Sequence, residues 1–240
     1  MKKLLLEILL IHIFVFVLND EQVLLQINKS KSHTDKTNNL TPLVVSVSSE
    51  DKNEKTNGVY IICIVDVSGS MYDKIDLVKD SLKYLIEKLM TDEDYFSLIT
   101  FTSDPSKVCD FTQMTSANKA TVINKINNLR ASGGTNIYSG LQEALKLITQ
   151  DFATNEKVVS MILLSDGYDG GSNADTRFKQ LISRNGKNKI PFTLHTFGYG
   201  ERHDADLMYK ISLIKDGGYF FINKISRCPF RNIWLFKHCL

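Results

Sequence analysis

The sequence has few cysteines, and they are not arranged in pairs. Its 240 residues contain four, Cys63, Cys109, Cys228 and Cys239, with no C-x-x-C spacing among them. This pattern argues against a structural zinc site and against a dense disulfide framework. Cys63 lies in an apolar run and is interpreted as a small buried hydrophobe, while a bridge between Cys63 and Cys109 stays open as an alternative.

A concentrated charge of one sign is also missing. Lys and Arg total 29 against 27 for Asp and Glu, so the formal net charge is only +2. No basic stripe of the kind that binds nucleic acid stands out, and we expect no nucleic-acid partner. With 43% hydrophobic residues, the length suits one α/β domain with extensions better than two complete domains.

The amino-terminal segment lacks the features that would define it as a membrane element. Residues 1–19 have a basic start and an apolar body, as in a secretory signal or a short anchor, but Glu7 and His12 interrupt it. No small-residue cleavage site follows, and the uninterrupted part is shorter than the ~20 residues of a spanning helix. Membrane association is therefore left open, and the expected location is either cytoplasmic or secretory and membrane-associated.

Composition divides the rest of the chain into three parts. Residues 20–57 are predicted as a polar linker, solvated over 26–41 and with an edge strand at 43–47. Residues 58–225 carry the compact domain. Residues 226–240 form an atypical tail with little periodicity.

Strand and helix patterns alternate through the compact domain. Six strands are predicted, at 59–65, 95–102, 107–114, 158–164, 192–197 and 218–222. Five helices are predicted: one over 73–90, one capped by Ser116, one burying Leu141, Ala144, Leu145 and Ile148, and two over 174–184 and 204–213. This alternation predicts a doubly wound α/β fold with a mainly parallel six-stranded sheet, one antiparallel edge strand and helices on both faces.

Oxygen-bearing side chains gather in three loops of this domain. Asp66, Ser68 and Ser70 follow the first strand, Thr135 follows a pair of glycines, and Asp166 follows the fourth strand. Because the carboxyl ends of parallel strands meet at one edge of the sheet, we expect these loops to converge there. Two carboxylates and several hydroxyls, without a His or Cys ligand, favour magnesium, manganese or calcium over zinc.

This combination resembles the metal-ion-dependent adhesion site of the von Willebrand factor type A domain family, which has a Rossmann-like fold, over about residues 58–223. The resemblance implies one divalent cation, usually magnesium, with hydroxyl ligands from Ser68, Ser70 and Thr135. Asp66 and Asp166 would act largely through bridging water. It also implies that a partner protein supplies the missing ligand as an Asp or Glu side chain. The expected function is a non-enzymatic, metal-dependent adhesion or scaffold module.

The sequence around 197–208 resembles the intracellular-type members of this family, which include plant ubiquitin ligases with a RING finger. No RING ladder of cysteine and histidine is present in the sequence, so ligase activity is not implied. After Ile225 the sequence departs from the amphipathic last helix of the family. A truncated or frame-shifted gene model would produce this ending, and so would genuine divergence.

Other functions remain as alternatives. One is a purely structural type A scaffold or a fragment of a larger ubiquitin-pathway protein. Another is a phosphotransferase similar to the haloacid dehalogenases, with Asp66 as nucleophile. That chemistry needs a second acid two positions later, where this chain has Ser68, so we expect no enzyme. Asp and Ser at a strand end also serve as ordinary helix caps.

Several polar residues are not assigned to the site. His195 is expected to be a satisfied packing residue within a strand. Asp204 is expected to cap a helix. Asp169, Asp175 and Glu201 are expected to be solvated loop acids.

Overall fold

The structure is a computed structural model that describes residues 23–29, 43–49, 58–151, 159–169, 171, 173–184, 191–201 and 203–222. The chain divides into two compact units, 1–56 and 57–240. The apolar segment 1–19 and the tail 226–240 lie outside the described residues. Across the described ranges, no helix combines the length and the hydrophobicity needed to cross a membrane.

The first unit contains a two-stranded antiparallel sheet. Strand β1 spans Val23–Lys29 and strand β2 spans Leu43–Ser49. The strand predicted at 43–47 is confirmed, and it pairs with β1. The prediction of a solvated linker over 26–41 is wrong for residues 26–29, because they belong to β1 and pair with β2.

The second unit alternates strands and helices in the predicted order. Its strands are β3 (Tyr60–Asp66), β4 (Tyr95–Phe101), β5 (Pro105–Gln113), β6 (Val159–Ser165), β7 (Phe192–Tyr199) and β8 (Tyr219–Ile222). Its helices are α1 (Ile75–Tyr84), α2 (Ser116–Asn127), α3 (Ile137–Asp151), α4 (Ala174–Arg184) and α5 (Ala205–Ser212).

The six strands form one sheet in the order β5-β4-β3-β6-β7-β8. Strand β5 runs antiparallel to β4 at the edge, and all other neighbours are parallel. The predicted sheet is therefore confirmed. Chain order reverses between β3 and β6, and ligands of open α/β sheets bind beyond the strand ends at such a switch point.

Two hydrophobic layers enclose the sheet. Alternate residues of β3 point to opposite faces, so Cys63 and Val65 pack with α1 and α2 while Ile62 and Ile64 pack with α3, α4 and α5. All seven residues of β3 are buried. A strand covered on both faces reads as a continuous apolar run, which is why the sequence predicts it as central.

Two local features refine the predicted helices. The helix predicted over 73–90 is α1 followed by a π-helical turn at Leu85–Leu89. The N-cap of α2 is Thr115 and not Ser116, since the Thr115 side chain accepts a hydrogen bond from the Asn118 N–H at 3.4 Å.

Cys63 and Cys109 are both free, buried thiols. The disulfide alternative is therefore not realised.

His195 has the packing role that was predicted for it. It is buried in β7, and its Nδ1 accepts a hydrogen bond from the Gly218 N–H at 3.0 Å. Burial lowers the pKa of its imidazole. The neutral ring therefore serves as an acceptor that joins β7 to the start of β8.

Candidate metal centre

The first loop leaves the carboxyl end of β3 and turns at once. The Ser68 N–H donates to Asp66 Oδ1 at 2.8 Å, and a short 3-10 turn follows at Gly69–Met71. The Ser68 and Ser70 hydroxyl oxygens lie 3.1 Å apart. Asp66 and Ser68 are fully buried and Ser70 is exposed, so the side-chain oxygens of the first loop extend from the buried end of β3 to the protein surface.

The second loop is joined to the first by backbone hydrogen bonds. The Gly69 N–H donates to the Gly133 carbonyl at 3.0 Å, and the Ser132 N–H donates to the Val67 carbonyl at 2.7 Å. Gly133 has φ +78°, a conformation that glycine adopts without steric cost. Half-buried Thr135 follows two residues later. Among the described residues, no side-chain hydrogen bond joins Thr135 to the other predicted site residues.

The third loop reaches the first through the last residue of β6. The Ser165 hydroxyl donates to Asp66 Oδ2 at 2.6 Å and accepts a hydrogen bond from the Gly167 N–H at 2.9 Å. Asp166 follows with a fully buried side chain, and its Oδ1 accepts from the Tyr168 N–H at 3.3 Å. Ser165 was not predicted as a site residue, yet its hydroxyl joins the Asp66 carboxylate of the first loop to the Gly167 N–H of the third loop.

The two buried carboxylates of the site are stabilised when positive charge lies close to them. Burial raises the pKa of Asp66, the hydrogen bonds from Ser165 and Ser68 lower it, and the nearby Asp166 raises it again. Lys74 supplies an ammonium group whose Nζ lies 3.3 Å from Asp166 Oδ2. A buried pair of acids is costly unless positive charge lies close to it.

The donor chemistry of these loops fits a hard divalent cation. The available ligands are serine and threonine hydroxyls beside two carboxylates, all oxygen atoms. Within the ranges that the structure describes, no group of three or more His, Cys, Asp or Glu side chains could hold a metal. A cation at this switch point would therefore depend on the hydroxyls as well as on the acids.

Asp169 lies in the same loop cluster, contrary to the sequence-based interpretation. Only 6% of it is exposed, and its Oδ1 accepts a hydrogen bond from the Ile137 N–H at 2.8 Å. Burial raises its pKa, whereas the Ile137 hydrogen bond and the Arg177 charge lower it. The prediction of a solvated acid is wrong because Asp169 reaches across to the first turn of α3. Asp204 is the predicted cap, and it accepts from the Leu207 N–H at 3.0 Å.

We expect Asp169→Ala to lower the free energy of unfolding by about 1–2 kcal/mol, the usual cost of losing a helix N-cap acceptor. The change leaves the Ile137 N–H without its acceptor at the helix that follows Thr135. Urea denaturation monitored by circular dichroism measures the loss. Asp169→Asn keeps a side-chain oxygen at this position and is the control, with a smaller loss expected. Equal stability of the parent and Asp169→Ala would contradict the capping role.

Comparison with known proteins places this chain in a family. Residues 61–227 match the family model described as von Willebrand factor type A domain. Among solved structures, a von Willebrand factor type A protein from Catenulispora acidiphila superposes with a TM-score of 0.60 at 24% identity, covering 75% of this chain and 41% of that one. Proximal thread matrix protein 1 from the mussel byssus, solved with a zinc-occupied metal-ion-dependent adhesion site, superposes with a TM-score of 0.57 at 20% identity, covering 76% and 46%.

Two curated proteins are sequence relatives of this chain. The uncharacterized protein YfbK of Escherichia coli is 26% identical over 191 residues, 78% of this chain and 32% of its own length. Inter-alpha-trypsin inhibitor heavy chain H3 of Mus musculus is 27% identical over 164 residues, 65% of this chain and 18% of its own. The chain thus spans a third or less of the length of these two relatives.

Proposed function

The chain belongs to the von Willebrand factor type A domain family, and from this premise we propose that it is a non-catalytic module that binds a partner protein through a divalent cation. Type A domains are protein-interaction and adhesion modules. The cation would be magnesium, with manganese or calcium as alternatives, and its last ligand would be an Asp or Glu side chain of the partner. The proposed metal ligands are Asp66, Ser68, Ser70, Thr135 and Asp166.

One observation carries the proposal. Asp66 and Asp166 are fully buried at the switch point of the sheet, and the Ser165 hydroxyl holds Asp66 beside the third loop. With Asp66 and Asp166 acting largely through bridging water, the direct ligands are neutral hydroxyls that leave most of the charge of a divalent cation uncompensated, so an acidic side chain is a favourable further ligand. The zinc-occupied site of the mussel protein supports the idea that this fold accommodates a divalent cation there.

The proposal of a module without catalytic activity rests on the residue two positions after Asp66. Ser68 is fully buried, and its hydroxyl lies 3.1 Å from the Ser70 hydroxyl. A serine in that environment does not provide the tuned proton transfer that phosphotransfer through an aspartyl nucleophile requires. Steady phosphatase turnover on a generic phosphoester that disappears in Asp66→Ala would overturn this part of the proposal.

A random peptide library can be passed over the immobilised full chain in magnesium, and the bound peptides can be released with EDTA. We expect the released peptides to share an Asp or Glu at one fixed position. Changing that residue to Asn or Gln should weaken binding about tenfold or more, since a neutral amide is a poor ligand for a hard cation. Thr135→Val removes one proposed ligand while keeping the side-chain shape. We expect this variant to lose the selected peptides, as measured by fluorescence anisotropy.

Thr121→Val is the matched control for this experiment. Thr121 is exposed on α2, and its hydroxyl donates to the Ala117 carbonyl within the same helix at 3.2 Å. This variant should bind the peptides as the parent does. Selected peptides that lack a common acid, or that bind Thr135→Val as tightly as the parent, would contradict the docking proposal.

A further inference from the structure

Lys74 is held against the proposed metal site by three oxygen atoms. Its Nζ donates to the Ser70 carbonyl at 2.7 Å and lies 3.3 Å from both Asp166 Oδ2 and Asp73 Oδ1. The side chain is only 19% exposed. Its methylene stem packs against Gly200, where an added Cβ would lie 2.6 Å from Lys74 Cε. The ammonium group is thus directed toward the site by packing as well as by charge.

This contact engages the carboxylate that the metal would need. Asp166 Oδ1 accepts from the Tyr168 N–H, and Oδ2 faces Lys74. A divalent cation coordinated through Asp166, directly or through water, must share that carboxylate with the ammonium group. The two positive charges repel each other at short range, and the low dielectric around a buried carboxylate strengthens the repulsion.

We propose that Lys74 is a built-in competitor of the metal, which neutralises Asp166 in the metal-free protein and moves away from it when a divalent cation binds. The inference rests on the proposed metal site and adds the residue that sets its affinity. Lys74 keeps the metal-free fold stable by pairing with a buried acid. The same contact weakens metal binding, so the site fills only when the divalent cation is abundant enough to displace the lysine.

The test compares magnesium affinities of full-length variants by isothermal titration calorimetry. Lys74→Met keeps the apolar stem without the charge, and we expect it to bind magnesium about tenfold more tightly than the parent, a difference of about 1.4 kcal/mol. Lys74→Arg keeps the positive charge and should stay close to the parent. Lys83→Met is the matched control, because Lys83 lies on the same helix, α1, and pairs there with Asp80 at 2.7 Å.

A second measurement detects the displacement of the Lys74 side chain by magnesium. Acetylation by an amine-reactive ester, followed by peptide mass spectrometry, should modify Lys74 faster in saturating magnesium than in EDTA, because the released amine is more exposed. Lys83 should react at the same rate in both conditions. This readout uses the parent protein and does not depend on how any variant folds.

The outcomes separate this inference from the proposed function. Magnesium affinity that is unchanged or weaker in Lys74→Met, with binding still abolished by Asp66→Asn, would overturn the role of Lys74 alone. Faster acetylation of Lys74 together with tighter binding by Lys74→Met supports it. Absence of magnesium binding by the parent, or equal binding by Asp66→Asn, would overturn the proposed metal site and this inference with it.

Discussion

Millimolar magnesium is expected to raise the melting temperature of the parent chain, and Asp66→Asn is expected to abolish the rise. A ligand that binds only the folded state at a hundred times its dissociation constant stabilises it by about 2.7 kcal/mol. For a domain of this size each kcal/mol corresponds to about 2–4 °C, so the expected shift is about 5–10 °C. Differential scanning fluorimetry across a magnesium titration measures it.

The same variant should behave differently without metal. Burial is the largest cause of the raised pKa of Asp66. A carboxyl group whose pKa is higher in the folded state favours folding at low pH, and this contribution is lost as the pH rises through the folded-state pKa. Above the folded-state pKa, the ionised form of Asp66 therefore contributes unfavourably to the stability of the metal-free fold. We expect Asp66→Asn in EDTA to be at least as stable as the parent.

Asp76→Asn is the control for this pair of measurements. Asp76 is exposed on α1 and pairs with Lys79 at 3.5 Å. Its loss should leave the magnesium response intact. A parent chain whose melting temperature does not respond to millimolar magnesium would instead favour the purely structural scaffold. A full response in Asp66→Asn would place the metal elsewhere.

Most of the second unit could be predicted because local sequence and burial agree there. Strand β3 is buried along its whole length and is an uninterrupted apolar run in the sequence. Helix α1 shows its buried face as Ile75, Val78 and Leu82, at the spacing of a helix. The less apolar pattern over 107–114 predicts an edge strand, and β5 is the antiparallel edge strand of the sheet. In the first unit the polar composition of residues 26–29 concealed a strand, since its pairing depends on β2.

The predicted site residues share a motif, whereas the residues that support them do not. Ser165 contacts Asp66 across 99 positions of sequence, and Lys74 contacts Asp166 across 92. Asp169 reaches the first turn of α3 across 32. Each role depends on which loops become neighbours at the switch point, and the sequence shows only a polar residue in a loop or at an element end. The roles of these three residues can be assigned only when the three-dimensional arrangement of the loops is known.

Ser165→Ala is expected to lower the free energy of unfolding of the metal-free protein by about 2–4 kcal/mol, because it leaves a buried acceptor and a buried donor unpaired. The acceptor is Asp66 Oδ2 and the donor is the Gly167 N–H, which lie 2.6 Å and 2.9 Å from the Ser165 hydroxyl. Magnesium affinity should fall as well, since Asp66 loses the contact that orients it toward the third loop. Urea denaturation in EDTA and calorimetric titration measure the two effects.

Two variants of strand β6 complete this experiment. Ser165→Thr retains a hydroxyl at the same position and should recover most of the stability and of the magnesium affinity. Ser160→Ala removes a buried hydroxyl from the same strand, but its partner is the Thr193 hydroxyl at 3.2 Å, outside the three loops. We expect it to cost less stability and to leave magnesium binding unchanged. If Ser165→Ala and Ser160→Ala had the same effect on magnesium affinity, Ser165 would be a packing residue of β6 and not the link between Asp66 and the third loop.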